Sequence, residues 1–239
     1  MHSLGHTRSA RRADHLLQTP DTFIRAAWAG MANAVAIVHA SPAIGAGFTQ
    51  YTAELAEGGL VPATTLQRFV YVLSGEVQVA DTTLGPGGFA YVPSGQAGAL
   101  RSRGGARAAV IEKAYVALPG VDAPEAFTGL ETALPGEPVL GDPALEVRTL
   151  VPSAPGFDFA ANTLAYQPGA SLPMVEVHVM EHGLLFLAGG GIYRLGDAWY
   201  PVTEGDFIYM APWCPQWFGA IGKTPAKYLI YKDWNRVAS

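Results

Sequence analysis

Residues 69–95 read FVYVLSGEVQVADTTLGPGGFAYVPSG, and residues 184–213 read LLFLAGGGIYRLGDAWYPVTEGDFIYMAPW. Each stretch runs from an apolar strand into a glycine turn, then an alternating strand, a second turn ending in glycine, and an aromatic strand closed by proline. Val, Leu, Ile, Phe and Tyr in short runs, punctuated by Gly and Pro, are the signature of many short strands. The same layout written twice at domain-sized separation predicts tandem units of one architecture. The chain therefore reads as all-β.

The repeat continues outward. AVIEKAY (109–115) follows the first stretch as YLIYKDW (228–234) follows the second, so each unit takes about 100 residues, the size of a small jelly-roll barrel. Between them, residues 117–145 are rich in Pro and Gly without sustained periodicity, which predicts a connector and places the boundary near residue 125. Residues 1–20 are polar, carry three arginines and lack an apolar signal-peptide core, and are expected to be a flexible tail. The expected organisation is a tail over 1–20, one barrel over 21–125 and a second over 126–239.

Composition narrows the partners. The 239 residues are 49% hydrophobic and 15% charged, enough to bury a sizeable core, and the net charge of -5 offers no basic face for phosphates. Nucleic acid is not an expected partner. The apolar run over 26–40 is shorter than the ~20 residues a membrane-spanning helix needs. The one cysteine, Cys214, has no second thiol for a disulfide or a thiolate metal site. A soluble, cytoplasmic protein acting on a small molecule is the expectation, with a homo-oligomer expected from its sheet edges.

MVEVHVMEHG (174–183) is the stretch that breaks the apolar rule. If it is a strand, Glu176, His178, Met180 and His182 share one face, because successive side chains alternate. A barrel turns such a face inward. A buried, unpaired carboxylate costs several kcal/mol or more, whereas a divalent cation compensates it and uses the imidazole lone pairs. Glu181, of opposite parity, reads as a solvated or salt-bridged surface group. Two imidazoles with oxygen donors and no thiolate suit a borderline to hard ion, Mn²⁺ first, with Fe²⁺, Zn²⁺ or Ni²⁺ as alternatives.

These positions carry a resemblance to the cupin superfamily, whose two motifs place metal ligands at fixed distances from turn glycines. Counted back from Gly189 the positions are His182, His178 and Glu176, and eleven residues on from Gly205 stands Gln216, with Pro212 displaced by one place. The first half resembles the same frame through Gly75, Gly87, Pro93 and Gly95, yet its ligand positions hold Pro62, Thr64, Arg68 and Gly98. The resemblance implies a bicupin, two tandem jelly-roll β-barrels, with a metal in the second barrel and none in the first.

At a finer level EVHVMEHG (176–183), GGGIYRL (189–195) and YLIYKDWNR (228–236) resemble the (S)-ureidoglycine aminohydrolase family. That resemblance implies manganese held by Glu176, His178, His182 and Gln216, a substrate pocket with Tyr193, Tyr228 and Lys232, and release of ammonia from (S)-ureidoglycine to give (S)-ureidoglycolate in allantoin and purine breakdown. Tyr228, Ile230 and Lys232 share strand parity, so phenol and ammonium are expected to face the metal cavity, the ammonium pairing with the carboxylate of a small anionic ureido substrate. Lys113 is read as the counterpart of Lys232 in the first half. Glu176 and Lys232 are the candidates for moving protons. The alternatives are a cupin oxygenase or isomerase, and a bicupin that binds a small molecule without turning it over.

Overall fold

The computed structural model describes residues 6–236. All its regular elements are β-strands apart from three single-turn 3₁₀ segments, and no helix among the described residues is long and apolar enough to cross a membrane. The expectation of an all-β, two-barrel chain holds.

The chain forms two compact units, threaded through one another in sequence. Among the described residues, one consists of Ile24–Pro135, Leu150–Ala160 and residues 234–236; the other takes residues 6–23, Gly136–Thr149 and Ala161–Asp233. A single cut near residue 125 does not describe this path. Part of the presumed connector is structured: Phe127–Leu130 pairs with Gly88–Val92 in the first unit, and Glu137–Val139 pairs with Asp142–Thr149 in the second.

In the first unit the long strand Thr49–Val61 is the spine, pairing antiparallel with Ala32–Ala40, Leu100–Ser102 and Ala106–Lys113. Alternation sends Val70 and Val72 of Gln67–Gly75 into a core with Tyr51, Leu55, Val77, Leu84 and Val110. Phe69 and Tyr91 occupy the opposite face, where Tyr91 stacks on Phe127 and meets Phe157 edge-on. A strand buried on both faces reads as continuous apolar sequence, which is why 69–72 shows no polar alternation.

The second unit combines an eight-stranded and a three-stranded sheet. His182–Ala188 pairs with both Phe207–Met210 and Ala226–Asp233, and Gly190–Leu195 pairs with Ala198–Thr203 and Gln216–Ala220. Their inward residues, among them Leu184, Phe186, Tyr193, Leu195, Ile208, Phe218 and Tyr228, form its core. The two halves of the repeat share their turn chemistry. Gly75 and Gly189 have φ of 70° and 63°, and a Cβ would stand 2.2 Å from the Gly105 carbonyl oxygen and 2.4 Å from that of Pro225. Only glycine fits either place.

The N-terminal residues depart most from expectation. Ala10–Arg11 and His15–Gln18 are strands, and the second pairs with Phe207–Met210 in the register Leu17↔Ile208. Leu17 is fully buried in the second unit's core, and Arg8 grips the buried Asp206 carboxylate with both terminal guanidinium nitrogens, one at 2.8 Å. A four-residue strand whose partner lies almost the whole chain away leaves no local signature, so its polar neighbours make it look like a tail.

Candidate metal centre and substrate pocket

A cavity of about 370 Å³ opens within the second unit, and Glu176, His178, His182, Gln216, Tyr193, Tyr228 and Lys232 all line it. The structure thus brings together every residue singled out as ligand or substrate contact. The remainder of the wall includes Leu164, Leu172, Met180 and Ile230.

The arm that carries the first two donors is not the buried strand the sequence suggests. Glu176 makes one isolated bridge to Gln216, with reciprocal backbone hydrogen bonds of 2.8 Å, and regular pairing resumes only at His182. Val175 and Val177 are 40% and 51% exposed. Alternation nonetheless survives: the hydrophobic parity turns outward while Glu176, His178, Met180 and His182 face the cavity. The bridge sets the Glu176 and Gln216 backbones side by side, which fixes an acidic and an amide donor at one height of the barrel. Glu181, expected at the surface, is 5% exposed and accepts a hydrogen bond from the Tyr209 hydroxyl at 3.0 Å. A tyrosine partner makes its burial tolerable.

The donor set fits a divalent ion. Glu176 Oε2 lies 3.1 Å from His178 Nε2, and the His178 and His182 ring centres are 5.4 Å apart. Burial holds the His182 pKa down to about 3, so at neutral pH the ring is uncharged and its lone pair is available. The Tyr193 hydroxyl donates to Gln216 Oε1 at 3.0 Å. That contact uses one lone pair of the amide oxygen and leaves the other, so Tyr193 orients the Gln216 side chain as a supporting hydrogen bond would orient a metal donor. Its phenol, like that of Tyr228, is held well above the ordinary pKa by burial and is a neutral donor.

Lys232 stands across the strand pair from His182. Burial lowers its pKa and the Glu176 charge raises it, with burial the larger influence. The Tyr228 hydroxyl meets that of Tyr166 at 2.7 Å, a partner the sequence reading missed. The signal was present: Asn162, Leu164 and Tyr166 recur at alternate positions of one strand, and polar groups at inward parity are the same kind of clue that exposed the histidines.

A tighter group of metal-type side chains lies elsewhere. Ligand atoms of Asp14, His15 and Cys214 all fall within 4.8 Å of one another. Yet His15 Nδ1 is 2.8 Å from Asp14 Oδ1, its Nε2 is 2.9 Å from the Tyr200 hydroxyl, and burial pushes the Cys214 thiol up to about 11. With both imidazole nitrogens engaged and the thiol protonated, this cluster is a hydrogen-bonded network. The cavity donors are the better metal site.

In the first unit the equivalent place is filled by the chain itself. Arg68 donates to Glu112 Oε1 through Nε at 2.9 Å, to the Pro62 carbonyl at 2.9 Å and to the Gly98 carbonyl, while the Tyr51 hydroxyl reaches the same Glu112 oxygen at 2.8 Å. Pro62, Arg68 and Gly98 are three of the four positions where the cupin frame puts ligands. Register corrects one equivalence: Arg68 lies opposite Glu112 as His182 lies opposite Lys232, so Glu112, not Lys113, is the counterpart of Lys232. Lys113 instead pairs with the buried Asp158 at 2.9 Å.

Comparison with known proteins agrees with this architecture. Residues 162–231 match a Cupin domain family and residues 44–115 an EutQ-like cupin domain family. A protein of Arabidopsis thaliana named (S)-ureidoglycine aminohydrolase is 38% identical over 97% of this chain and 80% of its own length. A probable (S)-ureidoglycine aminohydrolase of Oryza sativa subsp. japonica is 37% identical over 97% of this chain and 77% of its own. Among solved structures, a putative glyoxylate induced protein of Pseudomonas aeruginosa superposes with a TM-score of 0.89 at 28% identity, covering 100% of this chain and 95% of that one. With two cupin domains in tandem and this degree of identity over nearly its whole length, the chain belongs to the (S)-ureidoglycine aminohydrolase family.

Proposed function

We propose that this protein is a manganese-dependent hydrolase that releases ammonia from (S)-ureidoglycine to give (S)-ureidoglycolate, a step in the breakdown of allantoin and hence of purines. The observation that carries the reading is the convergence of a carboxylate, two imidazoles, an amide oxygen, a lysine and two tyrosines on one cavity of about 370 Å³. A ligand of this kind bears an amine, a carboxylate and a ureido group on a single carbon, and this wall offers a charged or polar partner for each.

Glu176, His178, His182 and Gln216 would hold the ion. A divalent cation bound there supplies positive charge that polarises and orients oxygen atoms of the substrate. One carboxylate against a dication leaves a net local charge of about +1, which favours an anionic ligand. The Lys232 ammonium adds a second positive group on the same wall and would pair with the substrate carboxylate, fixing which face of the reacting carbon meets water. In the overall change the carbon–amine bond breaks and a carbon–oxygen bond forms; the departing amine gains a proton and the incoming water loses one. Lys232, whose pKa burial lowers, is suited to give a proton to the amine, and Glu176 to accept one from water.

The test is ammonia release from freshly generated ureidoglycine by protein stripped of metal and then reloaded with Mn²⁺. Release on reloading, with metal content measured in parallel, supports the reading. Equal rates with and without metal, or no ammonia under either condition, overturn it; stoichiometric O₂ consumption would point instead to an oxygenase.

A further inference from the structure

We infer that Asn162 is a substrate-recognition residue, whose side-chain oxygen accepts a hydrogen bond from a ureido N–H and so makes the cavity select for ureido compounds; the inference rests on the function proposed above. Asn162 lies on the strand Phe159–Tyr166 with Thr149 as its neighbour across the sheet. By alternation its side chain shares a face with Leu164 and Tyr166, and it lines the same cavity as the four metal-type donors and Lys232.

Its oxygen has no partner. Among the described residues, buried side-chain atoms without a hydrogen bond occur on Gln50, Ser102 and Asn162, and only Asn162 belongs to this cavity wall. The residue is 8% exposed, so Oδ1 is withdrawn from solvent without a protein donor. Buried polar atoms in folded proteins are nearly always satisfied, and an exception calls for a ligand, an ordered water or a functional cost. Three hydroxyls of the same unit's interior find partners elsewhere, those of Tyr166 and Tyr228 in each other and that of Tyr193 in Gln216. Neither pair gives Oδ1 a donor.

The chemistry of the vacant bond names the ligand group. Oδ1 can only accept, so it complements an N–H or O–H and repels the lone pairs of a carboxylate. In a small ureido acid the carboxylate is drawn to Lys232 and the cation site. The ureido group is then the part richest in N–H donors, with both an internal N–H and a terminal NH₂. A site built around one hydrogen bond discriminates strongly against an analogue that cannot make it, because its own polar atom stays unpaired.

The experiment compares wild type with Asn162→Leu, both loaded with Mn²⁺, by calorimetric titration with ureidoglycolate and with glycolate, which keeps the carboxylate and hydroxyl but lacks the ureido group. Asn162→Leu should weaken ureidoglycolate binding about 10- to 100-fold and glycolate binding less than about threefold, with metal content unchanged. The ligand-free variant should melt no lower than wild type, since a buried unsatisfied oxygen has been replaced by a similar apolar volume. Equal weakening of both ligands, unchanged selectivity, or a clear loss of thermal stability would overturn the assignment and make Asn162 structural. Ammonia release by the wild type separates the two levels. If the wild type releases ammonia and the variant keeps its selectivity, only this inference falls; if the wild type releases none, the proposed function falls with it.

Discussion

The two barrels hold opposite answers at one place in the same strand pair. In the first, Arg68 faces Glu112; in the second, His182 faces Lys232, with Arg68 and His182 each seven residues before the turn glycine of its own barrel (68 to 75, 182 to 189). Arg68 brings its own positive charge into the interior, where Glu112 and the Pro62 and Gly98 carbonyls surround it. The second barrel places lone-pair donors there, with Glu176 the one carboxylate among them, and leaves a cavity. A closed β-interior tolerates a charge only when it is paired and hydrogen-bonded. The difference teaches that one frame can meet this condition with a side chain, which fills the space, or with a donor set suited to an exchangeable cation, which keeps the space for a ligand.

The sharpest way to break the comparison is to exchange the roles of these residues. His182→Ala should abolish metal retention and ammonia release while leaving the β-sheet circular dichroism intact, whereas Arg68→Ala should leave metal content at the wild-type level. Equal metal loss in both variants, by elemental analysis, would place the site in the wrong barrel. Stability should show the reverse order. Arg68→Met leaves the Glu112 carboxylate buried without its cation and should cost about 3–5 kcal/mol in denaturant unfolding, and adding Glu112→Leu should recover most of that. A double variant no better than the single one would mean that the pair is not the unit that matters.

Acid should probe the first barrel through a different group. His39 is buried against the Thr52 hydroxyl at 2.9 Å, and burial holds its pKa down to about 3. Above pH 6.5 the ring is neutral folded or unfolded and contributes nothing to pH dependence. Between pH 6.5 and 3 the unfolded chain takes up a proton that the fold refuses, so stability falls by about 1.4 kcal/mol per pH unit, or roughly 2 kcal/mol by pH 5. His39→Gln should take about 1.4 kcal/mol per pH unit off that part of the unfolding profile, leaving the like contribution of the buried His182; an unchanged slope would remove His39 as a source. The smallest effect is expected for Tyr193→Phe, which deletes only the hydrogen bond to Gln216 Oε1. It should weaken Mn²⁺ binding about tenfold, the lower end for loss of a supporting contact to a metal ligand. No change in metal affinity would mean that Tyr193 does not orient Gln216.

Much of the site was legible because its information is local. Alternation alone put Glu176, His178, Met180 and His182 on one face, and the structure keeps that parity even though the arm from 174 to 180 is held only by an isolated bridge at Glu176 and a backbone hydrogen bond from Trp213 to the His178 carbonyl rather than by a regular ladder. The turn glycines were equally plain, since positive φ with a carbonyl in the way admits no other residue. Four features were not legible: the strand pairing of His15–Gln18, the threading of Gly136–Thr149 and Leu150–Ala160 into different units, the partner of Arg68 and the unpaired Asn162 oxygen. Each depends on which segments meet across long stretches of chain, and a short strand carries no record of its partner.

From its sequence alone this protein was determined to be all-β, to carry one barrel pattern twice, and to keep its ionisable donors in the second copy. Periodicity and glycine conformation act within a few residues and can be read from the order of side chains. Only the tertiary structure decided that the N-terminal strand joins the second unit's sheet, that Glu112 rather than Lys113 is the counterpart of Lys232, and which buried polar atom of the cavity wall is left without a partner. Those outcomes follow from strand register, where a shift of one residue turns a side chain to the other face, and register is set by the packing of the whole barrel.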